Sequence, residues 1–253
     1  MTSDSERIGK FSLLNSYLPY YRLEQDGFRV IRAMPKTLAG MLERGEIDFS
    51  PVPSVYYLKN KATLQRYEFC IAAARSVWSV ILVSKGAPLG ENGGSIAVTN
   101  QTTTSAKLLE IILQERGLRH QIVPVNESTA TALLEHCPYA LVIGDAAIRA
   151  RQRYRVVMDL GEAWLDVTGL PMVFGIAVAR KGRDMAGVSA ALQESVVWGK
   201  EHVDVIIGAA HEQFGLPEEF LECYFNALTY QMGERERRGL ARFEEKCHEY
   251  GIL

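Results

Sequence analysis

Histidine is scarce in this chain and poorly placed for chemistry. The five are His120, His136, His202, His211 and His248. None forms a ligand-spaced pair and none falls in a loop that follows a predicted strand, so no metal site is expected. The four cysteines, Cys70, Cys137, Cys223 and Cys247, include no C-x-x-C pair and read as reduced core thiols. G-x-S-x-G and G-x-x-x-x-G-K-[ST] are absent, and the glycines at 90, 93 and 94 do not form a G-x-G-x-x-G turn. No cofactor is implied. No apolar run approaches the ~20 residues of a membrane span. The formal net charge is −2, so neither nucleic acid nor an anionic membrane is an expected partner. The opening Met1-Thr2-Ser3-Asp4-Ser5-Glu6-Arg7 has no basic region followed by an apolar one, which argues against a signal peptide and for a cytoplasmic location. Nothing in the pattern specifies an oligomeric state.

What is present is an ordinary globular composition, 47% hydrophobic and 23% charged over 253 residues, enough to bury one large or two smaller cores. Residues 7–11 and 29–33 read as strands. Pro35 opens a helix with Leu38, Met41 and Leu42 on one face and Gly45 just past its end. Residues 47–50 follow as a short strand. Strand, helix and strand in close succession indicate a parallel α/β sheet. The apolar run 77–83 reads as a strand covered on both faces. The glycines and proline of 86–94 then suggest a crossing into a second α/β unit. That unit comprises strands at 95–99, 121–125, 139–143 and 156–159, with helices at 104–116, 128–136 and 145–151. A buried strand at 173–179 reads as the return crossing, and the remainder reads as helical. Leu240, Phe243, Cys247 and Tyr250 recur at helical spacing as a packing stripe.

The expected architecture is α/β and two-lobed, of the type II periplasmic-binding-protein kind. One lobe comprises residues 1–86 and 173–253, and the other residues 87–172. In such a fold a small ligand is held in a cleft between the lobes, by loops at strand carboxyl ends and by helix starts.

Several residues fall on such loops. Thr104 and Ser105 follow a strand and open a helix, where backbone N–H groups and hydroxyls suit a carboxylate; the alternative is a well-capped helix with nothing bound. Asn15 and Ser16 lie on the turn after the first strand, either facing a ligand or satisfying their own backbone. Ser54 and Ser79 sit at further strand ends, where serine serves equally as a local cap. Gly144-Asp145 follows strand 139–143, with Asp145 either a helix cap or a polar group on the cleft floor. Leu170 and Pro171 lie in the turn Thr168-Gly169-Leu170-Pro171, which could present backbone groups to a ligand. Trp164 reads as core or cleft wall.

An ordered series of phrases resembles the chorismate dehydratases of the futalosine route to menaquinone. It runs through Leu14-Asn15-Ser16, Gly45-Glu46-Ile47-Asp48 with Ser50-Pro51, Ser54, Ser79-Val80, Thr104-Ser105 with Leu108-Leu109, and Ile143-Gly144-Asp145. It continues through Asp159-Leu160-Gly161 with Trp164, and Thr168-Gly169-Leu170-Pro171 with Val173-Phe174. The resemblance spans nearly the whole chain and implies the same two-lobed fold. It implies loss of water from chorismate to give 3-[(1-carboxyvinyl)oxy]benzoate, with the substrate's own enolpyruvyl carboxylate taking the ring proton. On that view Asn15 and Ser79 orient the enolpyruvyl side and the leaving hydroxyl, while Thr104 and Ser105 hold a carboxylate. Ser16, Ser54, Gly144, Asp145, Leu170 and Pro171 complete the substrate contacts. The chain departs from the family pattern where it has Arg75 and Trp78 in place of glycines before Ser79, and Pro53-Ser54 in place of Ser-Ser. Those departures bear on whether the substrate is chorismate or a similar dicarboxylate. Two other readings share the fold. One is a cytosolic small-carboxylate binding protein. The other is the related 1,4-dihydroxy-6-naphthoate synthase, for which a histidine base in the cleft would be expected.

Overall fold

A computed structural model of the chain describes residues 6–90 and 92–253. The segment 1–5, read above for a leader, lies outside the described residues. In chain order the first elements are β1 (Ile8–Phe11), a 3-10 turn (Leu14–Ser16), α1 (Tyr17–Gln25), β2 (Val30–Ala33), α2 (Pro35–Glu43), β3 (Phe49–Pro53), α3 (Ser54–Lys59) and β4 (Leu64–Ala73). Then come β5 (Val80–Ser84), β6 (Asn92–Thr99), α4 (Thr104–Glu115), β7 (Arg119–Val125), α5 (Ala130–His136), β8 (Tyr139–Ile143), α6 (Gly144–Ala150), β9 (Arg155–Asp159) and α7 (Leu160–Thr168). The last are β10 (Met172–Arg180), α8 (Ala186–Glu201), α9 (Val203–Phe214), α10 (Glu218–Ala227), β11 (Leu228–Gln231) and α11 (Glu234–Glu249).

The chain forms two compact units. The first runs to Ala72 and resumes at Val173–Gly233; the second is Ala73–Met172 with Glu234–Leu253. The expected crossing near residue 86 therefore lies earlier, because β5 pairs antiparallel with β8 and β9 rather than within the first sheet. The C-terminal helix, expected in the first lobe, groups with the second unit. Its stripe Leu240, Phe243 and Cys247 is buried, Phe243 packs edge-on against Trp164 at 5.8 Å, and Lys246 pairs with Glu115 of α4 at 2.6 Å.

The first unit holds a six-stranded sheet in the order β11-β4-β10-β3-β1-β2. β1 is parallel to β2 and β3, while β10 returns antiparallel to β3 with Gly175 opposite Pro53. Its core includes Phe49 against Tyr67 and Phe69 stacked on Tyr230. α1 and α8 approach closely at Gly199, where a Cβ would lie 3.1 Å from the Leu18 carbonyl oxygen. Two strands were not expected from sequence. β4 carries exposed Gln65 and Glu68 in its first half, and β11 interrupts what reads as continuous helix.

The second unit holds a five-stranded sheet, β7-β6-β8-β5-β9. β6, β7 and β8 are parallel. The Gly93-Gly94 break falls inside β6, at a shift of register between Asn92 and Ser95, and both glycines have positive φ. One face of the sheet buries Ile81, Val83, Ala97, Ala140 and Val142 against Leu133, Leu134, Ala147 and Ala150 of α5 and α6. α2 begins on Pro35 and α4 ends before Gly117, as the pattern predicts.

Candidate active site

In the first unit the parallel strands end on one edge of the sheet. β1 leads into the 3-10 turn, where the buried Ser16 hydroxyl donates to Asn15 Oδ1 at 3.2 Å. That bond fixes one end of the half-buried Asn15 amide. β3 leads into Ser54, fully buried, whose hydroxyl donates to the Val173 carbonyl at 2.6 Å. Ser54 thus ties α3 to the first residues of β10. Behind the turn, the buried Lys10 ammonium meets Glu24 at 2.9 Å, which also takes Arg32 at 2.8 Å. Burial lowers the Lys10 pKa, and Glu24 opposes the shift.

In the second unit three candidate segments share one edge with Asp159. Val80 lies opposite Ile143 and Ile81 opposite Asp159, so Ser79, Gly144-Asp145 and Asp159 are neighbours across three strands. β6, parallel to β8, ends on the same edge and leads to Thr104. Thr104 and Ser105 are buried and form the first turn of α4. They do not cap it: the N-cap position is Thr103, which makes no side-chain cap bond. Gly144 N–H donates to the Ser79 carbonyl at 2.7 Å. Gly144 has φ 61°, a left-handed conformation that glycine takes without a Cβ clash. Asp145 is half-buried inside the first turn of α6, two residues past the N-cap Ile143, and so does not take the cap position that the sequence suggests for it.

The sequence-predicted residues omit the hub of this edge, the buried Asp159. Its Oδ1 accepts N–H groups from Val77 at 3.0 Å, Gly161 at 2.9 Å and Glu162 at 3.4 Å. Its Oδ2 accepts the Trp78 N–H at 2.9 Å and lies 3.8 Å from the Arg151 guanidinium. Burial pushes the Asp159 carboxyl above its ordinary value, and the backbone N–H groups only partly offset it. The guanidinium also lies 4.7 Å from the Trp78 ring centroid. Trp78 has φ 63°, the one positive value outside glycine among the described residues, a conformation costing about 1–3 kcal/mol for such a residue. Glycine, expected before Ser79 from the resemblance, would take this conformation without a Cβ clash. Gly161 is equally constrained, since a Cβ there would lie 2.3 Å from the Arg75 carbonyl oxygen.

Leu170 and Pro171 follow Gly169, which closes α7 in a left-handed cap at φ 70°. Leu170 N–H donates to the Thr168 hydroxyl at 3.2 Å. The Pro171 carbonyl accepts the Trp164 Nε1–H at 3.3 Å and faces Gly239 of α11, where a Cβ would meet it at 2.1 Å. Trp164 is fully buried core. Among the described residues no group of three or more His, Cys, Asp or Glu could hold a metal ion. No described helix is long and apolar enough to cross a membrane.

Two α/β units, each with candidate groups at strand carboxyl ends, define a solute-binding type of fold. The structural likenesses agree. A protein of Archaeoglobus fulgidus superposes with TM-score 0.83 at 19% identity, over 100% of both chains. The periplasmic aliphatic sulphonate binding protein of Escherichia coli gives 0.68 at 15% identity, over 100% of this chain and 89% of that one. The fold is that of the periplasmic binding proteins. The chain belongs to the menaquinone biosynthesis family, whose model matches residues 6–249. A chorismate dehydratase of Thermus thermophilus is 29% identical in an alignment of 245 positions that covers 89% of each sequence.

Proposed function

We propose that this protein is a chorismate dehydratase, a hydro-lyase converting chorismate to 3-[(1-carboxyvinyl)oxy]benzoate and water at the first step of the futalosine route to menaquinone. The observation that carries the reading is the alignment with the Thermus thermophilus chorismate dehydratase along 89% of both sequences, within a family match over residues 6–249.

The chemistry suits the residues. The proton at ring C3 is acidified by conjugation with the ring carboxylate. Its C–H electron pair becomes the C3–C4 π bond as the C4–O bond breaks, and proton and hydroxyl leave as water. The product ring is aromatic, which drives the step. The loops that bear the candidates offer amides, hydroxyls and backbone N–H groups and no histidine. The protein's share is then orientation and charge stabilisation, with the enolpyruvyl carboxylate as internal base.

Asn15, its amide held by Ser16, and Ser79 orient the enolpyruvyl group and the leaving hydroxyl. Thr104 and Ser105 bind a carboxylate at the start of α4, where aligned N–H groups favour an anion. Gly144 and Asp145 border Ser79. Ser54, its hydroxyl committed to Val173, together with Leu170 and Pro171, shapes the surroundings rather than donating to the substrate. The substrate would be met in the cytoplasm.

Purified protein incubated with chorismate, isochorismate and prephenate, and followed by ultraviolet absorbance and mass, should consume chorismate and release an aromatic product lighter by one water. Chorismate bound but returned unchanged would make the protein a small-carboxylate binder instead. Asn15→Ala should lose turnover with its fold intact.

A further inference from the structure

Ser79 leaves a turn that its own sequence does not favour. The Ser79 N–H donates to the Val77 carbonyl across Trp78 at 2.7 Å. With Trp78 at φ 63°, this has the hydrogen bond and positive central φ of the strained γ-turn. The Ser79 hydroxyl lies 3.3 Å from the same carbonyl, so its direction follows from the turn. The turn is bonded to Asp159, the last residue of β9 and the N-cap of α7. Asp159 takes the N–H groups of Val77 and Trp78 on separate oxygens, at 3.0 and 2.9 Å, while the same carboxylate is anchored to Gly161 N–H at 2.9 Å. Arg151 spans the Trp78 ring and Asp159 Oδ2. Gly161 lets the 75–77 segment approach closely enough for these bonds to form.

We propose that Asp159 is the positioning residue for Ser79: by holding the Val77 and Trp78 amides it enforces the left-handed turn that aims the Ser79 hydroxyl. A glycine at 78 would adopt the turn unaided. A tryptophan there needs the clamp, and in return sets an indole beside Ser79. The inference rests on the reading of Ser79 as a substrate contact.

The test compares Asp159→Asn in three backgrounds: wild type, Trp78→Ala and Trp78→Gly. With Trp or Ala at 78, D159N should lower kcat for chorismate about tenfold or more while KM moves less. In the Trp78→Gly background the same change should cost less than about threefold, because glycine needs no clamp. Equal losses in all three backgrounds, or no loss in wild type, would overturn the proposal. Amide hydrogen exchange over 77–80 gives a reading that needs no substrate. Exchange should be about tenfold faster in D159N than in wild type, and the glycine background should shrink that ratio. Wild-type protein that leaves chorismate intact would remove the dehydratase reading alone, and the exchange ratios would still decide the role of Asp159. If D159N fails to fold with Trp or Ala at 78, recovery of the fold by Trp78→Gly supports the clamp, and failure of that double variant as well refutes it.

Discussion

Asp48 in the first unit and Asp159 in the second are both buried carboxylates at one end of a sequence phrase, yet one is held mainly by guanidinium groups and the other by backbone amides. Asp48 receives Arg7 Nε at 3.0 Å and the Arg7 N–H at 3.0 Å, with Arg183 at 3.1 Å. Burial alone would raise its pKa, but the hydrogen bonds from Arg7 and the nearby Arg183 hold it below the ordinary value. Asp159 has backbone partners and one cation at 3.8 Å, and burial dominates, so its pKa lies above. Asp48 fastens β1 to the end of the α2–β3 turn, and the cations compensate its charge. Asp159 keeps an uncompensated share of charge and holds a strained turn. The first arrangement stabilises; the second stores strain beside a residue proposed to touch the substrate.

The comparison can be broken most severely at Gly161. Gly161→Ala pushes a Cβ into the Arg75 backbone and should cost about 3 kcal/mol in denaturant unfolding, with loss of turnover if the clamp depends on that approach. An alanine variant of full stability would show that the 75–77 segment yields freely. Asp48→Asn should cost about 2 kcal/mol, the scale of hydrogen bonds to charged groups, without changing kcat.

The two carboxylates should also give opposite signs of pH dependence. Asp48, lowered in the fold, adds stability above its unfolded pKa of about 3.9 and loses it as pH falls through the folded value. Asp159, raised in the fold, adds stability only when protonated and loses it as pH rises from about 3.9 through its folded value. Stability of Asp48→Asn should therefore fall less steeply on acidification than wild type, and that of Asp159→Asn more steeply. Curves bending the same way would end the contrast. A smaller effect sharpens the account of strain: Trp78→Gly should be more stable than Trp78→Ala by about 1 kcal/mol, since only glycine takes the left-handed conformation freely. Smallest is Thr129→Ala, which removes the cap bond to the Ala132 N–H and should lower stability by about 0.5 kcal/mol. It serves as a control for an ordinary helix start in the same unit.

Much of the fold is readable from local pattern. β8, apolar along its whole length, and α2, bounded by Pro35 and Gly45, announce themselves because periodicity and punctuation are local. α1 hides behind Pro19, which its first turn tolerates. β4 hides because its exposed polar residues alternate with Tyr67 and Phe69 before a run that ends in alanines. β5 is visible as a strand but not as a member of the second sheet, since its partners β8 and β9 are more than fifty residues away. Among candidate residues, Ser79 was legible as a hydroxyl at a strand end and Gly144-Asp145 as the pair that follows strand 139–143. Their direct hydrogen bond was not legible, nor was the part of Asp159, whose role lies in bonds to residues 77 and 78.

The order of apolar runs, glycines and polar turn phrases determined by itself that this is an α/β chain, because burial and backbone permission act on neighbouring residues; the menaquinone biosynthesis family is shown by likeness to known sequences and not by that pattern. Which sheet receives β5 and α11, and that a tryptophan stands in a glycine's conformation under a buried carboxylate, only the tertiary structure decided. Those outcomes depend on partners brought close by folding, and a chain read in order carries no measure of that distance.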